Sequence, residues 1–351
     1  MPYLEDVSQR LDVECEEFCT WETDVPVDLA AFKLAENRDH NHEGPHAELI
    51  GPMPDRGPAT GIVQVCGERV AQWGAPDRCD IAFSVSKSGL SLLVGLALAD
   101  GLISELDAPV SSAVDIEEFS GPNTLVTWRH LLSMTSEWEG TLWGIPDAID
   151  FNRIVPSQPN GPVKGTPRER GLPGSVWEFN DVRVNALCLA LTFVWRRSLE
   201  EVFFERIMNP IGASSTWRWH GYEGAIIDID GCGVPVVSGG AHWGGGMVIS
   251  GSDLALLGSL YAQRGEWKGV RLVPSVWFDA IRSPAVLNPD FGLLWWTNVN
   301  GAVPMLSSRA IWSSGVSNFL LVEPERSLVL ILRWFAANRR NDIIARVLDA
   351  L

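Results

Sequence analysis

The sequence contains no hydrophobic run long enough to cross a membrane. Its most apolar stretch, Leu90 to Ala99, is far shorter than the roughly 20 residues that a membrane-spanning helix requires. The first residues, MPYLEDVSQRLDVECEEF, have neither the basic region nor the apolar region of a secretory signal peptide. These absences predict a cytoplasmic protein.

Positive charge is also scarce. The chain has 27 Lys and Arg residues against 44 Asp and Glu residues, a formal net charge of −17 over 351 residues. A surface with that average charge repels phosphate backbones and anionic lipid headgroups. We therefore expect neither nucleic acid nor a membrane surface as a partner.

Three further patterns are missing. The six cysteines form no CxxC pair, so we expect reduced thiols rather than a disulfide framework or a zinc site. Walker and Rossmann glycine patterns are absent, which argues against a phosphate-bearing cofactor. A GxSxG motif is also absent, which argues against the α/β-hydrolase arrangement of a serine nucleophile.

The sequence does contain patterns typical of β-hairpins near both of its ends. GIVQVC (61–66) and VAQW (70–73) flank one turn, and NFLLVE (318–323) and LVLILRWF (328–335) flank another. Between them, apolar residues spaced by three and four predict helices near 84–102, 127–136, 181–196, 199–208, 252–263 and 274–282. We predict an α+β fold in which both chain ends build an antiparallel sheet, with a helical region inserted between them.

One catalytic unit is expected to span residues 1–351. Residues 1–83 and 284–351 would form the sheet region, and residues 84–283 the mostly helical region. Residues 156–174 are rich in proline and glycine and predict a long loop or lid. Because loops of this length often border binding sites, we expect this one near the site.

The best candidate for chemistry is Ser84-Val85-Ser86-Lys87, which leads into an apolar helix. Residues three apart at a helix start point to one face, so Lys87 could take the proton of the Ser84 hydroxyl if the amine were neutral. The amide N–H groups of that helix end could also hold an oxyanion. The alternative is ordinary helix capping, in which Lys87 is a solvated residue of the first turn.

Four further segments give this motif a family context. GLISELDAPV (101–110) and TWRHLLSMTSEW (127–138) follow it, and PGSVWEFNDVRVNAL (173–187) and HWGGGMVISGSDLALLG (242–258) come next. In content, order and spacing they resemble the serine β-lactamase and penicillin-binding-protein superfamily. The resemblance is greatest to its class C-like, esterase and 6-aminohexanoate-oligomer hydrolase branch, and it implies a β-lactamase/transpeptidase-like fold.

The resemblance implies an acyl-enzyme mechanism with Ser84 as nucleophile and Lys87 as base. The family's Tyr-x-Asn triplet falls on Phe179-Asn180-Asp181, so the phenol is missing at Phe179 and a carboxylate replaces the amide at Asp181. Loss of a general acid–base group slows the steps that depend on it, so we expect an impaired activity. The alternative for Phe179 is a core aromatic beside Trp177.

The family's third motif, Lys-Thr-Gly or His-Thr-Gly, falls on Ser313-Ser314-Gly315, where the cation is missing. The resemblance implies that substrate lies along Ser314 and Gly315, and that the backbone N–H of Val316 completes the oxyanion hole with that of Ser84. The missing cation argues for a neutral ester or amide rather than a carboxylate-bearing substrate.

Aromatic and histidine side chains complete the set of candidate substrate-binding residues. The chain has 16 Trp and only 3 Tyr residues, and several Trp fall on segments expected near the cleft. Besides Asp181, Ser314 and Gly315, the candidates for substrate binding are Trp138, His242, Trp243 and Trp312. For each Trp the alternative is core packing, and for His242 it is a hydrogen-bonded structural role.

His40, His42 and His46 resemble a metal site in their spacing, but they fall in a polar N-terminal loop. A solvated loop is the expectation, so we predict neither a metal nor a cofactor. The sequence thus predicts a serine hydrolase acting on a small-molecule ester or amide. Two alternatives remain open: an acyltransferase of the same fold, and a homologue that binds a ligand without turnover.

Overall fold

The computed structural model describes residues 2–153, 155 and 161–351. The helices are α1 (Pro2–Phe18), α2 (Leu29–Ala35), α3 (Lys87–Ala99), α4 (Trp128–Leu132), α5 (Asp181–Trp195), α6 (Leu199–Phe203), α7 (Gly251–Ala262), α8 (Ser275–Ile281) and α9 (Arg340–Ala350). The strands are β1 (Thr60–Val65), β2 (Glu68–Trp73), β3 (Cys79–Ile81), β4 (Thr141–Leu142), β5 (Ile145–Pro146), β6 (Arg218–Ile229), β7 (Cys232–Val237), β8 (Gly246–Ser250), β9 (Glu266–Trp267), β10 (Val270–Arg271), β11 (Trp296–Thr297), β12 (Ile311–Gly315), β13 (Asn318–Glu323) and β14 (Leu328–Arg333).

The main sheet joins the two ends of the chain. Its strands are antiparallel and run in the order β11-β12-β13-β14-β1-β2, with Val63 opposite Leu330 at the junction of the N-terminal and C-terminal hairpins. Strands β1, β13 and β14 are buried along their whole length. The predicted α+β fold, with a sheet built from both chain ends, is therefore confirmed.

Helices cover both faces of this sheet, because successive side chains of each strand point to opposite sides. Ile62, Leu320 and Ile331 pack in the larger core, which includes α7 and the inserted helices. Val63, Leu321 and Leu330 pack in a smaller core with α1 and α9. The sheet is thus the middle layer of the molecule, which explains why its central strands are apolar without interruption.

The inserted region departs from the sequence expectation in one respect. Besides the helices it contributes β6, β7 and β8 to a second sheet in the order β3-β8-β6-β7, and the sequence analysis predicted none of these strands. Strand β6 contains two glycines and many exposed residues, which weakens the alternation that marks a strand. The division into subdomains at residues 83 and 284 stays a prediction, although the second sheet shows that 84–283 is not purely helical.

The predicted lid lies only partly within the described residues. Positions 156–160 fall outside them, while residues 161–174 form a loop without a helix or strand. No helix in the described ranges has both the length and the apolar character needed to cross a membrane.

Arg333 connects the two sheets through hydrogen bonds at the end of β14. Its side chain is buried, and it donates to the side chain of Asn318 and to the backbone oxygens of Ile249 (2.9 Å) and Ile81 (3.0 Å). Burial lowers the pKa of Arg333 to about 10. Since Ile81 ends β3 and Ile249 lies in β8, this one guanidinium fixes the second sheet against the first.

We expect Arg333→Met to lower the free energy of unfolding by about 2–4 kcal/mol, because buried acceptors in both sheets lose their donor. Chemical denaturation monitored by fluorescence measures this change. Arg10→Met is the control: Arg10 pairs with Asp6 on the surface, where ion pairs contribute at most about 1 kcal/mol. Equal stability of the two variants would contradict a connecting role for Arg333.

Candidate active site

Ser84 and Lys87 meet at the start of α3. A short 3-10 helix over Phe83–Ser86 follows β3 and runs directly into α3, so both residues lie within one turn. Ser84 is half-buried between the buried residues Phe83 and Val85. The Lys87 Nζ donates a hydrogen bond to the Ser84 Oγ at 2.7 Å. A hydroxyl at the cleft surface therefore contacts an amine that is hidden from solvent.

The same amine forms an ion pair with Asp181, the first residue of α5. The distance from Lys87 Nζ to Asp181 Oδ1 is 2.7 Å, and both side chains are almost fully buried. Burial lowers the pKa of Lys87, and the carboxylate opposes only part of that shift. For Asp181, burial favours the neutral acid, but Arg153 and Lys87 together hold its pKa well below the ordinary value.

Arg153 and Asp150 hold Asp181 from its other side. The Arg153 Nη1 donates to Asp181 Oδ2 at 2.9 Å, and the backbone N–H of Asp181 donates to Asp150 Oδ2 at 2.6 Å. Arg153 also donates to Asp150 Oδ1 from two of its nitrogens, at 2.9 and 2.6 Å. The carboxylate beside Lys87 is thereby fixed in orientation and remains ionised.

Phe179 lies against Lys87. Its ring centroid is 4.9 Å from the Lys87 Nζ, and the ring stacks parallel to Trp296. A phenyl face attracts a cation but can neither donate nor accept a proton. Phe179 is thus also the core aromatic of the alternative interpretation, since it packs against Trp296 and Phe291.

Strand β12 approaches Ser84 more closely than a side chain would allow. A Cβ on Gly315 would lie 2.7 Å from the Ser84 backbone nitrogen, so glycine is required there. The Ser313 Oγ donates to the Ser84 backbone oxygen at 3.2 Å. Ser314, in contrast, is half-buried on β12 opposite Phe319 and is not among the residues that line the cleft.

The turn after β12 holds Val316 beside Ser84. Val316 and Ser317 both have positive φ, 40° and 58°, as a two-residue type I′ hairpin requires. The Asn318 side chain donates to the backbone oxygens of Gly315 and Val316, at 3.2 and 2.8 Å, which supports this unusual conformation of a β-branched residue. Ser84, Gly315 and Val316 all line the cleft.

The cleft around Ser84 has a volume of about 420 Å³. Its lining includes several residues that the sequence analysis did not select, among them Lys33, Glu36, Asn41, Arg153, Val163 and Lys164. Three of these come from the N-terminal segment that contains α2 and a π-helix over Glu36–His40. That segment therefore forms one wall of the cleft, which no local pattern in its sequence indicated.

Glu43 attaches this wall to the rest of the site. Its carboxylate accepts hydrogen bonds from Lys164, from the Trp243 Nε1 at 2.8 Å and from the His242 Nε2 at 2.6 Å. Lys164 also pairs with Asp150 at 3.2 Å. Burial lowers the pKa of His242 well below its ordinary value, so the imidazole is neutral and donates from Nε2 to the carboxylate.

The three tryptophans chosen as substrate-binding residues are not among the residues that line the cleft. Trp138 is fully buried and donates from Nε1 to the Glu118 backbone oxygen at 2.7 Å. Trp243 is fully buried behind His242. Trp312 packs in the core against α1 and α9, because strand alternation turns it away from the face that carries Ser313.

The histidines of the N-terminal loop do not converge. His40 and His42 line the mouth of the cleft, whereas His46 ends a short 3-10 helix outside it. In residues 2–153, 155 and 161–351, no three His, Cys, Asp or Glu side chains lie close enough together to hold a metal ion.

Solved structures share this fold. A penicillin-binding-protein homologue from Caulobacter crescentus has a TM-score of 0.61 at 15% identity, over 91% of this chain and 98% of that one. EstCE1, described as a hydrolase with promiscuous acyltransferase activity, has a TM-score of 0.62 at 12% identity, over 98% of both chains. A β-lactamase from Mycobacterium bovis has a TM-score of 0.57 at 17% identity, over 86% of this chain and 94% of that one. At these identities the likeness shows the fold alone.

No curated protein sequence matches this chain significantly. The family model described as Beta-lactamase matches residues 65–341, which include the segments of Ser84, Lys87, Phe179 and Asp181 as well as the β12–β13 hairpin. The resemblance expected from the sequence motifs, to the serine β-lactamase and penicillin-binding-protein superfamily, is therefore confirmed. This protein belongs to the β-lactamase family.

Proposed function

We propose that this protein is a serine hydrolase that forms an acyl-enzyme on Ser84 with an ester or amide substrate. The observation that carries the proposal is the 2.7 Å hydrogen bond between Lys87 Nζ and Ser84 Oγ. The Ser84 hydroxyl reaches the cleft, whereas the Lys87 amine is buried behind it. Membership of the β-lactamase family supports hydrolysis through a serine nucleophile. The burial of Lys87 supports a role as base, because a buried lysine gives up its charge more readily.

In the acylation step, the Ser84 Oγ forms a bond to the substrate carbonyl carbon, and its proton passes to the lone pair of neutral Lys87. Negative charge then develops on the carbonyl oxygen. We assign its stabilisation to the backbone N–H groups of Ser84 and Val316. Ser84 lies in the first turn of a helix, where N–H groups have no intrahelical acceptor. The Lys87 ammonium returns the proton to the leaving oxygen or nitrogen, and water later cleaves the acyl-enzyme.

The charges of the cleft favour a neutral substrate. Each cationic side chain that lines it, among the described residues, already pairs with a carboxylate: Arg153 with Asp150 and Asp181, Lys164 with Glu43 and Asp150, and Lys33 with Glu36. Cations that are paired in this way offer little attraction to a substrate carboxylate. This agrees with the missing cation at Ser313-Ser314-Gly315.

Acyl transfer is the second candidate, since the structurally similar EstCE1 is described as a hydrolase with promiscuous acyltransferase activity. The two reactions share the acyl-enzyme and differ in whether water or another nucleophile attacks it. Product analysis with a p-nitrophenyl ester, in the presence and absence of a primary amine or alcohol, distinguishes them. A transferred acyl group in the product supports transferase activity, and a free acid supports hydrolysis.

Ser84→Ala is expected to abolish covalent labelling by a fluorophosphonate and to reduce ester turnover by about 10⁵-fold or more, because it removes the nucleophile. Intact-mass analysis measures the labelling, and p-nitrophenyl ester assays measure the turnover. Ser88→Ala is the control: Ser88 lies on the same helix and donates to the Val85 backbone oxygen at 2.7 Å, away from the cleft. Failure of the unaltered protein to become labelled would favour the ligand-binding alternative.

Gly315→Ala is expected to reduce the labelling rate of Ser84 by roughly 100-fold, because the added methyl group displaces β12 from the nucleophile and disturbs the oxyanion site. Thermal melts check that the fold is retained. Gly161→Ala is the matched control, since a Cβ there meets no atom of the described residues within 4 Å. Equal labelling rates of the two variants would show that the close approach of β12 has no part in the reaction.

A further inference from the structure

Asp181 is the feature that separates this site from the family pattern most clearly. An amide is expected at its position, yet the chain has a buried carboxylate that contacts the amine of Lys87 at 2.7 Å. The second expected partner of that amine, the phenol, is replaced by the ring of Phe179. Lys87 therefore has one hydrogen-bonding neighbour in Ser84 and one ionic neighbour in Asp181.

We propose that Asp181 is a positioning residue for Lys87, which fixes the amine beside Ser84 and stabilises the ammonium that forms when the serine proton arrives. In this chain the carboxylate thus performs a task for which relatives have a phenol nearby. The inference rests on the proposed acyl-enzyme function. It adds a partner for the base that the family pattern does not contain.

Three contacts support this role. The Asp181 Oδ1 faces Lys87, while Oδ2 accepts a hydrogen bond from Arg153 at 2.9 Å. The Asp181 backbone N–H donates to Asp150 at 2.6 Å, which anchors the first turn of α5. Because the two carboxylate oxygens have different partners, turning the side chain toward one partner would break the contact with the other.

The proton balance of the step needs no further reactant. The Ser84 O–H bond breaks as the bond from Oγ to the carbonyl carbon forms, and the proton joins the lone pair of Lys87. Asp181 stays ionised throughout and accepts no proton. The new ammonium lies between a carboxylate and the face of the Phe179 ring, and both stabilise positive charge. The proton then leaves Lys87 for the departing group.

The groups that face Lys87 decide how its protonation depends on pH. The titratable and charged groups around it are Asp181 and Cys188 on α5, Asp150 and Arg153 on the preceding segment, and His242 before β8. Burial raises the pKa of the Cys188 thiol and lowers that of His242, so both are neutral. The charged neighbours are therefore the two aspartates and Arg153.

The test is the pH dependence of the rate at which a neutral fluorophosphonate labels Ser84. The acid limb of this profile reports the conversion of Lys87 to the neutral amine. In Asp181→Asn the negative charge in contact with Lys87 is gone, so its pKa falls and the acid limb moves to lower pH by about 1–3 units. In Arg153→Gln a nearby positive charge is gone, so the limb moves to higher pH by about one unit.

Asp147→Asn is the matched control. Asp147 is as deeply buried as Asp181 and likewise pairs with two cations, Arg170 at 2.6 Å and Arg183 at 3.2 Å, but neither of these is Lys87. The acid limb of the Asp147→Asn profile is expected at the same pH as that of the unaltered protein. Thermal melts of all the variants show which of them fold. If Asp181→Asn does not fold, the shift of the acid limb in Arg153→Gln decides whether the proposal stands.

The outcomes are distinct. Opposite shifts in Asp181→Asn and Arg153→Gln, with none in Asp147→Asn, support the proposal. An unmoved acid limb in a folded Asp181→Asn protein would mean that the carboxylate only packs against Arg153, and this overturns the inference while the acyl-enzyme proposal stands. If Ser84 of the unaltered protein is not labelled at any pH, both proposals fail together.

Discussion

The site depends on the cost of placing the Lys87 ammonium in the protein interior. A buried charge is tolerated only beside an opposite charge in good geometry, and the structure meets this requirement with a continuous chain of contacts. The chain of ion pairs runs through Lys87, Asp181, Arg153, Asp150, Lys164 and Glu43. Positive and negative groups alternate along it, so each charge has a partner of opposite sign on at least one side.

This alternation joins segments that are far apart in the sequence. Helix α3 contributes the lysine, α5 the first aspartate, the 161–174 loop Lys164, and the N-terminal segment Glu43. Removing one member takes a buried partner from each of its neighbours, which costs more than the loss of an exposed ion pair. The relative placement of these segments is therefore set by charge pairing as much as by apolar packing.

Local sequence patterns predicted part of this arrangement. The spacing of Ser84 and Lys87, the β-hairpins at both ends and the helices α3, α5 and α7 all depend on neighbours in sequence, and the structure contains them. Helix α1 was overlooked although Leu4, Val7, Leu11 and Phe18 recur at helical spacing. The pairing of Glu43 with His242 was beyond local reasoning, because 199 positions separate them. The packing of Trp312 in the smaller core could not be foreseen, because composition does not say which face of a strand a side chain occupies.

The contacts of Glu43 also imply an order in which the parts of the site form during synthesis. This residue leaves the ribosome long before its partners Lys164 and His242, which come 121 and 199 positions later. Strand β12 follows later still, since its residue Ser313 comes 229 positions after Ser84. Contacts that close such long loops form late in folding. Until then the Glu43 carboxylate lacks the three side-chain partners that it has in the folded protein. The cleft is therefore complete only when the N-terminal segment and the turn after β12 have both packed beside Ser84.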